Sequence, residues 1–144
     1  MDELDQDILA ELQKDAKVKL KTLAKKLCVP LSTVYMRIKK MEEVGVIKSY
    51  TVDVDWDKLG YKMKAYVLVF VDTTKLRELR KPQKEILDRL KSLPFVHDAE
   101  VVTGDADLVM VIRARDTEHL GKLLTGDIQD ITGIVKTKSL VTIS

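Results

Sequence analysis

Two short stretches of this 144-residue chain carry side chains that can do chemistry. The first is Ser32-Thr33-Val34-Tyr35-Met36-Arg37-Ile38-Lys39-Lys40. It sets hydroxyls, a guanidinium and two ammonium groups close together, a combination suited to phosphates and base edges. The second is Thr103-Gly104-Asp105-Ala106-Asp107. A glycine there lets exposed backbone N–H groups take a carboxylate, and an aspartate can take an ammonium group. Neither stretch is a catalytic apparatus. Asp105 and Asp107 lack the further residues that would position a substrate between paired carboxylates. His97, His119 and the single Cys28 stand apart, without the spacing of metal ligands. No catalytic residue, no metal and no cofactor are expected.

The first stretch needs helices to present it. Leu4, Ile8, Leu9 and Leu12 form one stripe at helical spacing, Leu20, Leu23, Ala24 and Leu27 a second, and Val34, Ile38 and Met41 a third. These predict helices over 2–15, 20–28 and 31–44. The second and third are joined by a break that Pro30 enforces, which is the pattern of a helix-turn-helix. With Val34, Ile38 and Met41 inward, Ser32, Thr33, Met36, Arg37 and Lys40 lie on or beside the outward face. Ser32, Thr33 and Met36 suit base edges. Arg37, Lys39 and Lys40 suit phosphates, and Tyr35 either packs or reaches one.

The hairpin needs a sheet. Residues 46–54 read as extended and 57–60 as a turn. Lys62–Asp72 is a strand, and Thr73–Lys81 a charged connection with room for a helical turn. A helix after Pro82 carries Ile86, Leu87, Leu90 and Leu93. Strands Val96–Thr103 and Asp107–Ala114 flank the Gly104 turn. A helix capped by Asp116 or Thr117 carries Leu120, Leu123, Leu124 and Ile128, and Ile134–Ile143 is the last strand. This βαββαβ order is that of the ferredoxin-like split βαβ fold. The chain is thus α+β. A helix-turn-helix domain over 1–50 is followed by a linker strand and turn over 51–60 and a βαββαβ domain over 61–144.

Charge follows the same division. Lys14 to Lys40 holds nine bases against one acid, whereas the remainder holds sixteen bases against twenty-two acids. One part is built for a polyanion and the other is not. The acidic N-terminus has no apolar run behind it and does not read as a signal peptide, which predicts a cytoplasmic protein with no membrane partner.

At these residues the sequence resembles a known family. Asp5-x-x-Ile8-Leu9-x-x-Leu12-Gln13-x-Asp15-Ala16, Leu23-Ala24, and Ser32-Thr33-Val34-x-x-Arg37-Ile38-x-x-Met41-Glu42-x-x-Gly45-Val46-Ile47 are similar to the N-terminal half of Lrp/AsnC transcription regulators. Thr103-Gly104-Asp105-Ala106-Asp107 resembles the Gly-Asp-x-Asp hairpin of that family's second half. The resemblance implies an amino acid effector at this hairpin, between dimers that assemble further into tetramers or octamers. Two positions depart from the pattern. Cys28 stands where glycine is common and reads as a small buried residue; Pro30 replaces a capping serine.

The strands add an inference of their own. Met63, Ala65, Val67, Val69 and Val71 make one apolar face, and Tyr66, Leu68 and Phe70 another. Helices cover only one side of such a sheet, so a second copy of the sheet is the simplest cover for the other. The expected function is a sequence-specific regulator that binds double-stranded DNA as a homodimer. Its assembly or affinity responds to a small amino acid, held by Thr103, Gly104, Asp105 and Asp107 with Thr137 and Ser139 lining the same cleft. Repulsion from the two acids favours a neutral amino acid over aspartate or glutamate. The alternatives are an amino-acid-binding regulatory subunit and an architectural DNA-binding protein without effector control.

Overall fold

The computed structural model describes residues 1–143, and the chain forms two compact units that divide after Asp53. The first contains α1 (Glu3–Lys14), α2 (Leu20–Leu27) and α3 (Leu31–Glu43). Ile8, Leu23, Ala24, Val34, Ile38 and Met41 form its buried core, so the three stripes converge as their spacing requires. Asp2 caps α1 reciprocally: its Oδ1 accepts the Asp5 N–H at 3.0 Å, and Asp5 Oδ2 accepts the Asp2 N–H at 3.0 Å.

α2 stops at Cys28, which adopts the left-handed conformation at φ 55° and ψ 42° while its N–H reaches back to Ala24 and Lys25. The residue is exposed, not buried as its apolar neighbours suggest. A helix end in the left-handed region turns the side chain outward, and a non-glycine residue is strained there. Pro30 then starts α3 in an extended conformation with no side-chain cap.

The extended segment expected over 46–54 does not become a strand. Residues 48–55 belong to no helix or strand, because an extended chain forms one only against a partner edge. A 3₁₀ turn over Asp57–Leu59 follows.

The second unit contains β1 (Met63–Val71), α4 (Thr73–Glu78), α5 (Gln83–Lys91), β2 (Val96–Val101), β3 (Leu108–Ala114), α6 (Thr117–Leu123) and β4 (Ile134–Val141). The charged connection after β1 does form a helix, α4, capped by Asp72. α6 runs into one wide turn over Leu124–Ile128. All pairings are antiparallel, in the order β2-β3-β1-β4, as the βαββαβ reading requires. Ala65, Val67 and Val69 on β1 and Leu108, Met110 and Ile112 on β3 are buried with Ile86 and Leu90 of α5 and Leu120 of α6.

Gly133 has φ +101°, and a Cβ there would lie 2.7 Å from Leu76 Cδ2. Its carbonyl accepts the Asp72 N–H at 2.8 Å, which ties the start of β4 to the end of β1.

Among the described residues of the second unit no helix covers the other sheet face. Register places Tyr66, Leu68 and Phe70 beside Val109 and Val111 at its centre. Asp98 and Glu100 line the β2 edge of this face, and Lys136 and Lys138 line the β4 edge. Among the described residues no helix is long and apolar enough to cross a membrane.

Candidate nucleic-acid interface and ligand hairpin

α3 presents one continuous outward face. Leu31, Tyr35 and Met36 are 49%, 56% and 68% exposed, large values for apolar side chains on a helix that buries Val34, Ile38 and Met41. Ser32, Lys39 and Lys40 are exposed beside them, and Thr33 is half-buried. Among the described residues no ion pair engages Lys39 or Lys40.

Lys19, Leu20 and Lys21 at the start of α2 join Leu31, Ser32 and Tyr35 around an open apolar groove. Two lysines thus flank apolar side chains that match the methyl groups of thymine, with hydroxyls at hand for polar base edges. The uncapped first turn of α3 adds free N–H groups and the positive end of its dipole.

Arg37 takes a different part from the one expected. Its Nη1 donates to Asp2 Oδ2 at 2.5 Å and to Asp5 Oδ1 at 3.2 Å. The guanidinium therefore pins α3 to the cap of α1 through Nη1. Its hydrogen bond holds Asp2 well below the ordinary aspartate value of 3.8, at about 2. Spacing puts Arg37 beside the outward face, but its long side chain folds back to two acids that stand 35 and 32 residues earlier. Lys26 is likewise engaged, by Glu11 at 2.8 Å. Leu31 escapes a reading by periodicity for the opposite reason. Its spacing from Val34 and Ile38 is that of a core residue, yet the helix end overhangs the core.

In the second unit the hairpin Thr103-Gly104-Asp105 is exposed. Gly104 has φ +129°, and open space surrounds the position a Cβ would take. Backbone conformation, not close approach within the chain, is what requires glycine there. Asp107 is committed in part: its Oδ2 accepts the Val71 N–H at 2.9 Å, and its own N–H reaches Val69 O at 3.0 Å. Asp105 is the acid that remains open.

Thr137 and Ser139 do not join this hairpin in one chain. They lie on β4 and pair with Val69 and Val67 of β1, so β1 stands between them and Asp107. Their alternation is legible in the sequence, but the strand order that separates them is not.

A recognition-type helix with an exposed mixed face, joined to a split βαβ domain with a Gly-Asp hairpin, has close counterparts. Residues 1–42 match the AsnC-type helix-turn-helix domain, and residues 64–144 match the Lrp/AsnC ligand binding domain. The chain belongs to the Lrp/AsnC family. The HTH-type transcriptional regulator LrpA of Pyrococcus horikoshii is 36% identical over 138 residues, which cover 94% of this chain and 92% of that protein. The structure of Escherichia coli AsnC is 28% identical with a TM-score of 0.85, covering 100% of this chain and 93% of that one. A transcriptional regulator from Neisseria meningitidis, solved as a complex with L-Met, has a TM-score of 0.89 at 17% identity, covers 100% of this chain and 90% of that one, and shows the fold alone. This Lrp/AsnC chain is therefore a transcriptional regulator with a DNA-binding helix-turn-helix domain and a ligand-binding domain.

Proposed function

We propose that this regulator binds specific DNA sites as a homodimer and that a small neutral amino acid alters its assembly or DNA affinity. The observation that carries the reading is the α3 face. Leu31, Tyr35 and Met36 lie exposed among Ser32, Lys39 and Lys40, an arrangement suited to recognition of another molecule.

The uncovered sheet face supports the dimer. Its apolar centre, Tyr66, Leu68, Phe70, Val109 and Val111, lies between an acidic edge and a basic edge. A two-fold axis parallel to the strands lays the β2 edge of one sheet over the β4 edge of its mate. Glu100 and Lys138 stand at one level through Val109 and Leu68, so that axis brings opposite charges together. An axis across the strands would set like charges face to face. Two such heads fit symmetric half-sites on DNA.

The hairpin supports the effector. Asp105 is open for an ammonium group, and the turn at Gly104 exposes backbone N–H groups for a carboxylate. Because Asp107 commits one oxygen to Val71, Asp105 carries the charge recognition and a second acid on the ligand is repelled. Thr137 and Ser139 meet the ligand only if another subunit brings them to the hairpin.

The test is a thermal-shift screen of the twenty amino acids, followed by DNA binding with and without each hit. A neutral amino acid that raises the melting temperature and changes DNA affinity is expected. Gly104→Leu should abolish that response and leave DNA binding in place. No hit among the twenty removes the effector half of the proposal, and tight glutamate binding reverses the charge argument.

A further inference from the structure

The second unit contains a pocket that the hairpin does not share. It has a volume of about 230 Å³, below the range of roughly 300–1,000 Å³ typical of drug-sized ligand sites. Its walls are aromatic: Trp56, Tyr61 and Phe95. Trp56 meets Tyr61 edge to face with ring centroids 6.0 Å apart, and meets His97 in the same manner at 5.8 Å.

Its polar lining is all of one kind. Arg113, Arg115, His97 and His119 face the space, and no carboxylate does among the described residues. Arg113 Nε is buried with no hydrogen-bond partner. The Arg115 guanidinium lies 5.6 Å from the centre of the Tyr61 ring. His119 Nδ1 accepts the Arg115 backbone N–H at 3.0 Å, which leaves the proton of the neutral ring on Nε2 as a donor.

We propose that this pocket binds a small monocarboxylate with a flat or branched apolar body. Two guanidinium groups two residues apart on one strand end, with a buried donor unmet, call for an anion. The aromatic walls call for an apolar body, which inorganic phosphate lacks. A zwitterionic amino acid is a poor occupant, because no carboxylate in the lining balances its ammonium group, which would stand beside two guanidinium groups. The site therefore selects a class of ligand that the Gly104 hairpin does not. Trp56 stands three residues after the division between the two units, so occupation also fixes the start of the segment that leads to the head.

Trp56 is the only tryptophan in the chain, and its emission reads the pocket directly. The experiment titrates the full chain with benzoate, with phenylalanine and with inorganic phosphate. Benzoate should change the emission saturably, at least tenfold more tightly than either of the others. Arg115→Gln, at an exposed position, should weaken benzoate binding about fivefold with an unchanged circular dichroism spectrum; Arg113→Met should weaken it tenfold or more. A linear, non-saturating response to benzoate overturns the proposal, as does equal affinity for phenylalanine or phosphate. Benzoate binding that is unchanged in Arg115→Gln and Arg113→Met overturns it as well.

Discussion

Among the described residues the head buries six side chains in its apolar core, and the second unit buries fifteen. The head compensates with polar ties, the Asp2–Asp5 capping box and the Arg37 bridge across it, and it leaves single apolar side chains outside on one helix. The second unit leaves a whole strand face outside, with charge of opposite sign along its two edges. Scattered apolar groups among lysines suit a polar, grooved polyanion; a continuous apolar face suits another like itself. On the proposed reading one chain separates reading DNA from holding copies together, and the two kinds of exposed surface support assigning the first to the head and the second to the sheet.

The sharpest way to break this contrast is to charge the sheet face. Leu68→Asp puts a carboxylate at its centre, and the dimer should weaken by about 100-fold, roughly 2.7 kcal/mol. Sedimentation equilibrium reads it. A dimer of undiminished strength would place the self-association surface elsewhere.

Gly133→Ala tests how far the larger core depends on one close approach. It combines a positive φ with a Cβ 2.7 Å from Leu76, and it should cost about 2 kcal/mol of the second unit's stability. Trp56 fluorescence during urea unfolding measures that loss, with the head's helical signal as the internal comparison.

Cys28→Gly works on the head in the other direction. It relieves a left-handed backbone at φ 55° and should stabilise the head by about 1 kcal/mol, visible as a higher urea midpoint.

The smallest effect is a pH dependence confined to the head. Asp2 is depressed from 3.8 to about 2, so its contribution is complete above pH 4 and is lost as pH falls through 2. Arg37→Met should reduce that acid-range loss along with the bridge, leaving the part due to the Asp5 N–H. Helical circular dichroism between pH 5 and 2 follows it, and an identical acid profile in the variant would show that the bridge does not hold the cap.

Helical spacing makes the head legible, because Val34, Ile38 and Met41 are close in sequence and face one way. The same locality misleads at Arg37 and is silent on Leu31. One folds back to residues more than thirty positions away, and the other lies past the edge of the core. Alternation makes β1 and β3 legible as well as their uncovered side. The pocket is not legible, since Trp56, Phe95, Arg113 and His119 meet only after four separate segments are placed. Thr137 and Ser139 read as neighbours of the hairpin because sequence shows which face of a strand a residue takes, but not which strand intervenes.

The proposed division of labour rests on the α3 face, and the salt dependence of DNA binding tests it most directly. For a mixed-sequence duplex, the slope of log K against log salt falls by about 0.9 for each phosphate that is no longer neutralised. Changing Lys39 and Lys40 together to Ala should lower that slope by about two. Arg37→Met, with its head shown to be folded by circular dichroism, should leave the slope unchanged. A slope untouched by removing both lysines would contradict the placement of DNA on this face, and a slope lowered by removing Arg37 would contradict its commitment to the α1 cap.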